Sequence, residues 1–219
     1  MKPVIIVNFK TYASATGEGA VALAKTCERV AEERDADIRV AVQAADIYRV
    51  ASAVSLPVYA EHVDPIEPGR HTGYILPEDV KEAGAVGTLL NHSEHPIDME
   101  TLARTVKDCN ETGLKFIICA PDAEKGSIVA QFLPEFVAVE PPELISGDVS
   151  VSEAEPELIE EAAKKIPAPL LVGAGIHDGD DVQVAMELGA KGVLLASGVT
   201  KADDPEDVLN DLLDLDDTN

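Results

Sequence analysis

The stretch LLVGAGIHDGDDVQVAMELGAKGVLLASG, residues 170–198, contains one complete unit of the architecture. Leu170–Gly173 is a short apolar run bounded by glycine and reads as a strand buried on both faces. The acidic cluster Asp178–Asp181 supplies a helix start, where negative charge meets the positive end of the helix dipole. Val182, Ala185, Met186 and Leu188 then recur at helical spacing and place an apolar stripe on one face. Gly189 ends that helix, and Val193–Ala196 is a second apolar run. A strand, an amphipathic helix and another strand make a βαβ unit, whose strands run parallel because the helix carries the chain back to the starting end.

The same alternation extends in both directions. Val4–Asn8, Ile38–Val42, Val58–Ala60, Thr88–Leu90, Lys115–Cys119 and Phe136–Val139 bring the predicted strands to eight, with starts roughly 20 to 35 residues apart. Pro77-Glu78-Asp79 opens one intervening helix and Gly84 closes it, while Gly113 ends another whose inner stripe is Leu102, Val106 and Cys109. An open doubly wound sheet shares this alternation, but eight similar strands with no glycine-rich fingerprint after the first favour a closed α/β (β/α)8 barrel. At 219 residues, with no linker or low-complexity segment, the chain is expected to form one barrel domain over residues 1–219, fraying at Asp216 to Asn219.

Composition narrows the function classes. No apolar run reaches the ~20 residues of a membrane span, and Met1-Lys2-Pro3 leads only into Val4–Val7, so a soluble, cytoplasmic protein is expected with no membrane partner. Cys27, Cys109 and Cys119 are odd in number and lack ligand-like spacing, so they read as buried small hydrophobes and not as a disulfide framework or metal site. The formal charge is −24, from 41 acidic residues against 17 Lys and Arg, which disfavours nucleic acid as a partner. Because the acids are spread along the whole chain, adaptation to high salt explains them better than an ordinary acidic surface or a polycationic partner. At ~1 M salt the Debye length is only ~3 Å, and such self-repulsion is screened.

In a barrel of this kind, chemistry belongs to the C-terminal ends of the strands. Those exits present Asn8 and Lys10 after the first strand, His92, Ser93 and Glu94 after the fourth, and Glu140 after the sixth. Gly173-Ala174-Gly175 follows the seventh and Ala196-Ser197-Gly198 the eighth. Taken singly, each has an ordinary explanation: a solvated lysine, a capping histidine, one acid among 41, turn glycines. Together they put a cation, an imidazole and a carboxylate in one mouth beside two glycine turns, a set suited to abstracting a proton next to a carbonyl on a phosphorylated substrate. A short helix starting at Ser93 is expected, and its positive end would disfavour a second proton on His92. His62, His71, His95 and His177 read as loop residues without assigned chemistry.

Asn8-Phe9-Lys10-Thr11, Asn91-His92-Ser93-Glu94 and Val139-Glu140-Pro141-Pro142-Glu143-Leu144-Ile145 resemble, in order and spacing, the motifs of the triosephosphate isomerase family of TIM barrels. The short chain, the Pro-Pro-Glu-Leu-Ile segment and the Ala-Ser-Gly turn look like its archaeal branch. The resemblance implies interconversion of dihydroxyacetone phosphate and glyceraldehyde 3-phosphate through an enediolate. It assigns Glu140 as the base, His92 as a neutral imidazole, Lys10 as the cation beside the enediolate oxygen and Asn8 as its positioning partner, with Ser93 and Glu94 supporting. Phosphate is expected at Gly175 and at Ala196 and Ser197, with Ile145 reaching over from a lid formed by Pro141, Pro142, Glu143, Leu144, Ile145, Ser146 and Gly147. The commoner bacterial and eukaryotic pattern has a serine after strand seven and two glycines after strand eight, so main-chain contacts to phosphate are expected in this chain.

The loop Glu67–Gly73 resembles the family's third loop, which reaches into a neighbouring subunit, so a homo-oligomer is implied, a tetramer in preference to a dimer. No metal or organic cofactor is implied, since proton transfer between adjacent carbons needs none. The other readings are a different phosphate-binding barrel, an isomerase or lyase of a larger sugar phosphate, and a catalytically inactive binding barrel.

Overall fold

The computed structural model describes residues 2–140, 156–173 and 176–215. Eight strands, β1 (Val4–Asn8), β2 (Asp37–Val42), β3 (Val58–Ala60), β4 (Gly87–Leu90), β5 (Lys115–Ala120), β6 (Phe136–Val139), β7 (Leu170–Gly173) and β8 (Gly192–Leu195), pair in chain order into a closed parallel barrel. All eight expected strands are present, with ends displaced by at most one residue. Around them lie α1 (Glu18–Arg34), α2 (Ile47–Ala51), α3 (Pro77–Glu82), α4 (Met99–Thr112), α5 (Ala123–Val129), α6 (Pro156–Lys165), α7 (Gly179–Glu187), α8 (Ser197–Thr200) and α9 (Pro205–Asp211).

The strands are apolar throughout because both of their faces are covered. Alternate residues divide between two cores: Ile6, Ala41, Tyr59, Leu89, Ile117, Ala138, Leu171 and Leu194 fill the barrel. Their neighbours Ile5, Val7, Val40, Ile118, Val137 and Val193 face outward into the layer beneath the helices. Leu102, Val106 and Cys109 of α4 and Val182 and Ala185 of α7 complete that outer layer, as their spacing predicts. All three cysteines are buried, and burial pushes the Cys27 and Cys109 thiols up to about 12.

Helix ends follow the sequence punctuation. Asp98 caps α4 by accepting from the Thr101 amide at 2.8 Å, and Gly113 closes it at φ 73°. Asp178 caps α7 in the same way, and Pro77 begins α3. No helix begins at Ser93. Residues 93 and 94 form a turn closed by His95 N–H to His92 C=O at 2.8 Å. Pro96 lacks the N–H that would make the next bond back to His92, so the helix expected there is displaced to Met99.

The N-terminal end of the barrel is sealed by charge. Arg39 donates to both Asp37 carboxylate oxygens at 2.9 Å, and to Tyr59 Oη and Glu135 Oε1 at 3.0 Å. Lys115 reaches the same Glu135 oxygen at 2.8 Å, the Tyr59 hydroxyl donates to the other, and the guanidinium lies 5.3 Å from the Phe136 ring centre. Burial alone would raise the Glu135 carboxyl, but these donors outweigh it and hold it below the usual range.

Closure depends on the last pairing, which aligns Val4 with Gly192 and Val7 with Leu195. A Cβ on Gly192 would lie 1.9 Å from the Val4 carbonyl oxygen, so only glycine lets the two backbones approach. Gly192→Ala is expected to cost about 3 kcal/mol of unfolding free energy, the upper end for overpacking. Asp98→Ala, which removes a cap, should cost about 1 kcal/mol. Urea titration in molar KCl measures both, and equal losses would remove the special status of Gly192.

Candidate active site

The inward face of each strand continues two residues further at its C-terminal end. The rule that fills the barrel with Ile6, Tyr59, Leu89, Ala138 and Leu171 therefore aims Asn8, Glu61, Asn91, Glu140 and Gly173 into the mouth above them. Asn8 closes β1 with its side chain buried, and its Oδ1 accepts from the Lys10 amide at 3.1 Å. That bond supports Lys10 in a left-handed backbone conformation, φ 49°, unusual for a residue with a side chain. Lys10 is only 12 % exposed, and its Nζ donates to Glu94 Oε1 at 2.9 Å.

His92 hangs from the turn after β4. Asn91, also left-handed at φ 56°, ties this turn down: its amide group donates to the Cys119 carbonyl and its Oδ1 accepts from the Ile97 amide, both at 3.0 Å. The Glu94 amide donates to His92 Nδ1 at 3.1 Å. A ring nitrogen that accepts a backbone N–H carries no proton of its own, so in the neutral ring the proton sits on Nε2. That nitrogen faces Glu140 Oε2 at 3.5 Å.

Glu140 follows β6 directly and is 7 % exposed, with Oε2 lacking a hydrogen-bond partner. Burial raises its carboxyl above the usual range, opposed by His92, by a hydrogen bond from Cys119 and by Lys10. Burial likewise holds the Cys119 thiol protonated, with Glu140 adding to the effect, so it serves as a donor. On the other side, a Cβ on Gly173 would come within 2.5 Å of Glu140 Cγ, so glycine at the end of β7 leaves the room this carboxylate occupies.

Two cavities border these residues, one on the side of His92 and one on the side of Glu140. One, of about 350 Å³, is bordered by Asn8, Lys10, Glu61, His62, His92 and Glu94. The other, of about 470 Å³, lies beside Glu140 and Cys119. Ala196 and Ser197 start the short α8 at the exit of β8. Gly175, Ile145 and the rest of the segment Pro141 to Gly147 lie outside the described residues, as do Asp216 to Asn219. Among the described residues, no group of three or more His, Cys, Asp or Glu is arranged to hold a metal ion.

Lys10, His92, Glu94 and Glu140, singled out in the sequence, therefore share one site, with Ser93 on the turn between two of them. Two further residues belong to it. Cys119 reads in the sequence as a plain buried hydrophobe, yet it contacts Glu140; counting two residues on from Ile117 would have placed it inward. Glu61 stands two residues past Tyr59 by the same count. His62 and His95 stack in the wall of this cleft with ring centres 4.1 Å apart.

Comparison with known proteins finds relatives over nearly the whole chain. A family model described as triosephosphate isomerase matches residues 3–213. The chain is similar to the triosephosphate isomerase of Methanobacterium bryantii, 49 % identical over 216 residues and 96 % of each chain. That of Methanosarcina barkeri is 46 % identical over 218 residues, covering 97 % of this chain and 98 % of the other. Another, from Methanothermus fervidus, is 46 % identical over 217 residues, with the same coverage.

In the neutral ring, ¹⁵N spectra of His92 should show a protonated Nε2 and an unprotonated Nδ1. The opposite tautomer would mean that the Glu94 amide does not hold the ring.

Proposed function

The chain belongs to the triosephosphate isomerase family, and we propose that Glu140, His92 and Lys10 carry the reaction. That reaction interconverts dihydroxyacetone phosphate and D-glyceraldehyde 3-phosphate, an aldose–ketose isomerisation of glycolysis and gluconeogenesis. The two other sequence readings, a barrel acting on larger sugar phosphates and an inactive binding barrel, give way to the family assignment.

The observation that carries the residue assignment is the 3.5 Å approach of His92 Nε2 to Glu140 Oε2, with Lys10 fixed to the same turn through Glu94. In this reading Glu140 takes a proton from the carbon beside the carbonyl while His92 Nε2–H donates to the oxygen that becomes negative. Lys10 adds a fixed positive charge at that oxygen, and Asn8 holds the strained backbone that aims it. A buried carboxylate with one oxygen left without a hydrogen bond is a stronger base than a solvated one, which suits abstraction from carbon. Ser93 and Glu94 support the imidazole and the lysine. The phosphate is assigned to main-chain N–H groups at Gly175, Ala196 and Ser197, where the start of α8 adds positive potential. Ile145 and the lid Pro141 to Gly147 complete the proposal from the sequence.

The wider setting is also proposed. Glu67 to Tyr74 are all exposed, which supports a third loop that docks on another copy, in a tetramer in preference to a dimer. The charge of −24 supports function in a salt-rich cytoplasm. No helix is long and apolar enough to cross a membrane among the described residues.

Glu140→Gln keeps the shape of the side chain and removes the base, so kcat should fall by ~10⁴-fold or more with the fold intact by circular dichroism. Near-normal turnover would end the assignment. Lowering KCl from ~1 M to ~10 mM lengthens the Debye length from ~3 to ~30 Å. The melting temperature should then fall and the oligomer dissociate by light scattering, whereas an unchanged melting temperature would contradict salt adaptation.

A further inference from the structure

Glu61 is a carboxyl group that the isomerisation does not use. It follows β3, lies on the inward face two residues beyond Tyr59, and borders the 350 Å³ cavity with Lys10, His92 and Glu94. Its Oε1 is buried and has no hydrogen-bond partner. A carboxylate left in that state would be costly, whereas a protonated acid loses far less on burial.

The groups around Glu61 come from four strand exits. Lys10 follows β1. Asp46 follows β2 and is already engaged by the Gly17 amide at 3.0 Å and by Arg49 Nε at 3.1 Å. His62 adjoins Glu61 in the chain, and beyond β4 stand His92, Glu94 and His95. The nearby cation is Lys10, and Glu94 already balances it at 2.9 Å. With Glu61 protonated, Lys10 and Glu94 form a neutral pair into which a phosphorylated anion can enter. With Glu61 ionised, two carboxylates share one lysine, and the incoming anion meets net negative charge.

We propose that Glu61 is a proton-gated control of substrate affinity: protonated, it leaves Lys10 available to the anionic substrate, and ionised, it competes with the substrate for Lys10. The inference rests on Lys10 being the substrate's cation. Burial pushes the Glu61 carboxyl up to about 8, with Glu94 and Asp46 raising it and Lys10, through its amide and its charge, opposing them. The sign follows: the group is protonated below that pH and ionised above it. A phosphate monoester has its second pKa near ~6, so the substrate's own charge is constant across this window. An anion bound beside the carboxyl favours its protonated form, so the complex retains the proton to higher pH than the free enzyme. The effect therefore falls on kcat/KM, which reports the free enzyme, while kcat stays level.

The test is the pH dependence of kcat and KM from pH 7 to 9.5 in molar KCl. Wild-type kcat/KM should bend downward near pH 8 and lose roughly tenfold by the alkaline end, with the change in KM. Glu61→Gln, isosteric and unable to ionise, should lose the bend. Glu94→Gln removes a negative neighbour and should move the bend to lower pH. A wild-type profile without a bend, a bend that persists in Glu61→Gln, or one that stays fixed in Glu94→Gln overturns the proposal. Lys10→Met separates the premise from the inference. Intact kcat/KM at pH 7 in that variant would remove Lys10 as the substrate's cation, and a large loss there upholds the premise whatever Glu61 does.

Discussion

The pairing of β8 with β1 is the constraint on which the site depends. Until that seam closes, β1 and β8 are free edges of an open sheet, and the residues beyond their ends have no common centre. Once it closes, all eight exits point into one mouth, and a two-residue periodicity decides which side chains enter it. Asn8 and Glu140 are distant in sequence and belong to strands three apart around the barrel, yet each stands two residues beyond an inward core residue, Ile6 and Ala138. The backbone contact at Gly192 and the room left by Gly173 serve the same geometry at opposite ends of the barrel.

Electrostatics work on two scales here. The surface carries a large excess of acid, and ion pairs on it such as Lys164 with Glu160 and Lys107 with Glu111 are exposed helix pairs of small individual worth. Within the mouth the balance is local: one lysine, mostly withdrawn from solvent, faces carboxyl groups held at different protonation tendencies by burial. Salt screens the first scale much more than the second, since partly buried charges are less accessible to counterions. An anionic substrate can therefore be bound by a protein whose overall field opposes it.

The strands were legible because residues buried on both faces leave uninterrupted aliphatic runs, and the helices because Asp98, Asp178, Gly113 and Pro77 mark their ends by backbone chemistry. Lys10 and His92 were legible as residues at strand exits. Glu61 was not, because β3 is only three residues long and its exit reads as the start of an acidic loop. At the His92 turn, Pro96 overrides the local tendency to begin a helix. The 3.5 Å between His92 and Glu140 is invisible in sequence, because it depends on the registers of β4 with β5 and β5 with β6 acting in series.

The charged floor formed by Arg39, Tyr59, Glu135 and Lys115 has a consequence for traffic through the molecule. With a salt-bridged plug at one end and a packed aliphatic column in the middle, the barrel is a blind vessel and not a conduit. Water and substrate enter and leave by the same opening. If Glu140 is the base, as proposed, an isotopic label taken up by that carboxylate has no rear exit, and whether it returns to carbon or is washed out to solvent is decided at the rim.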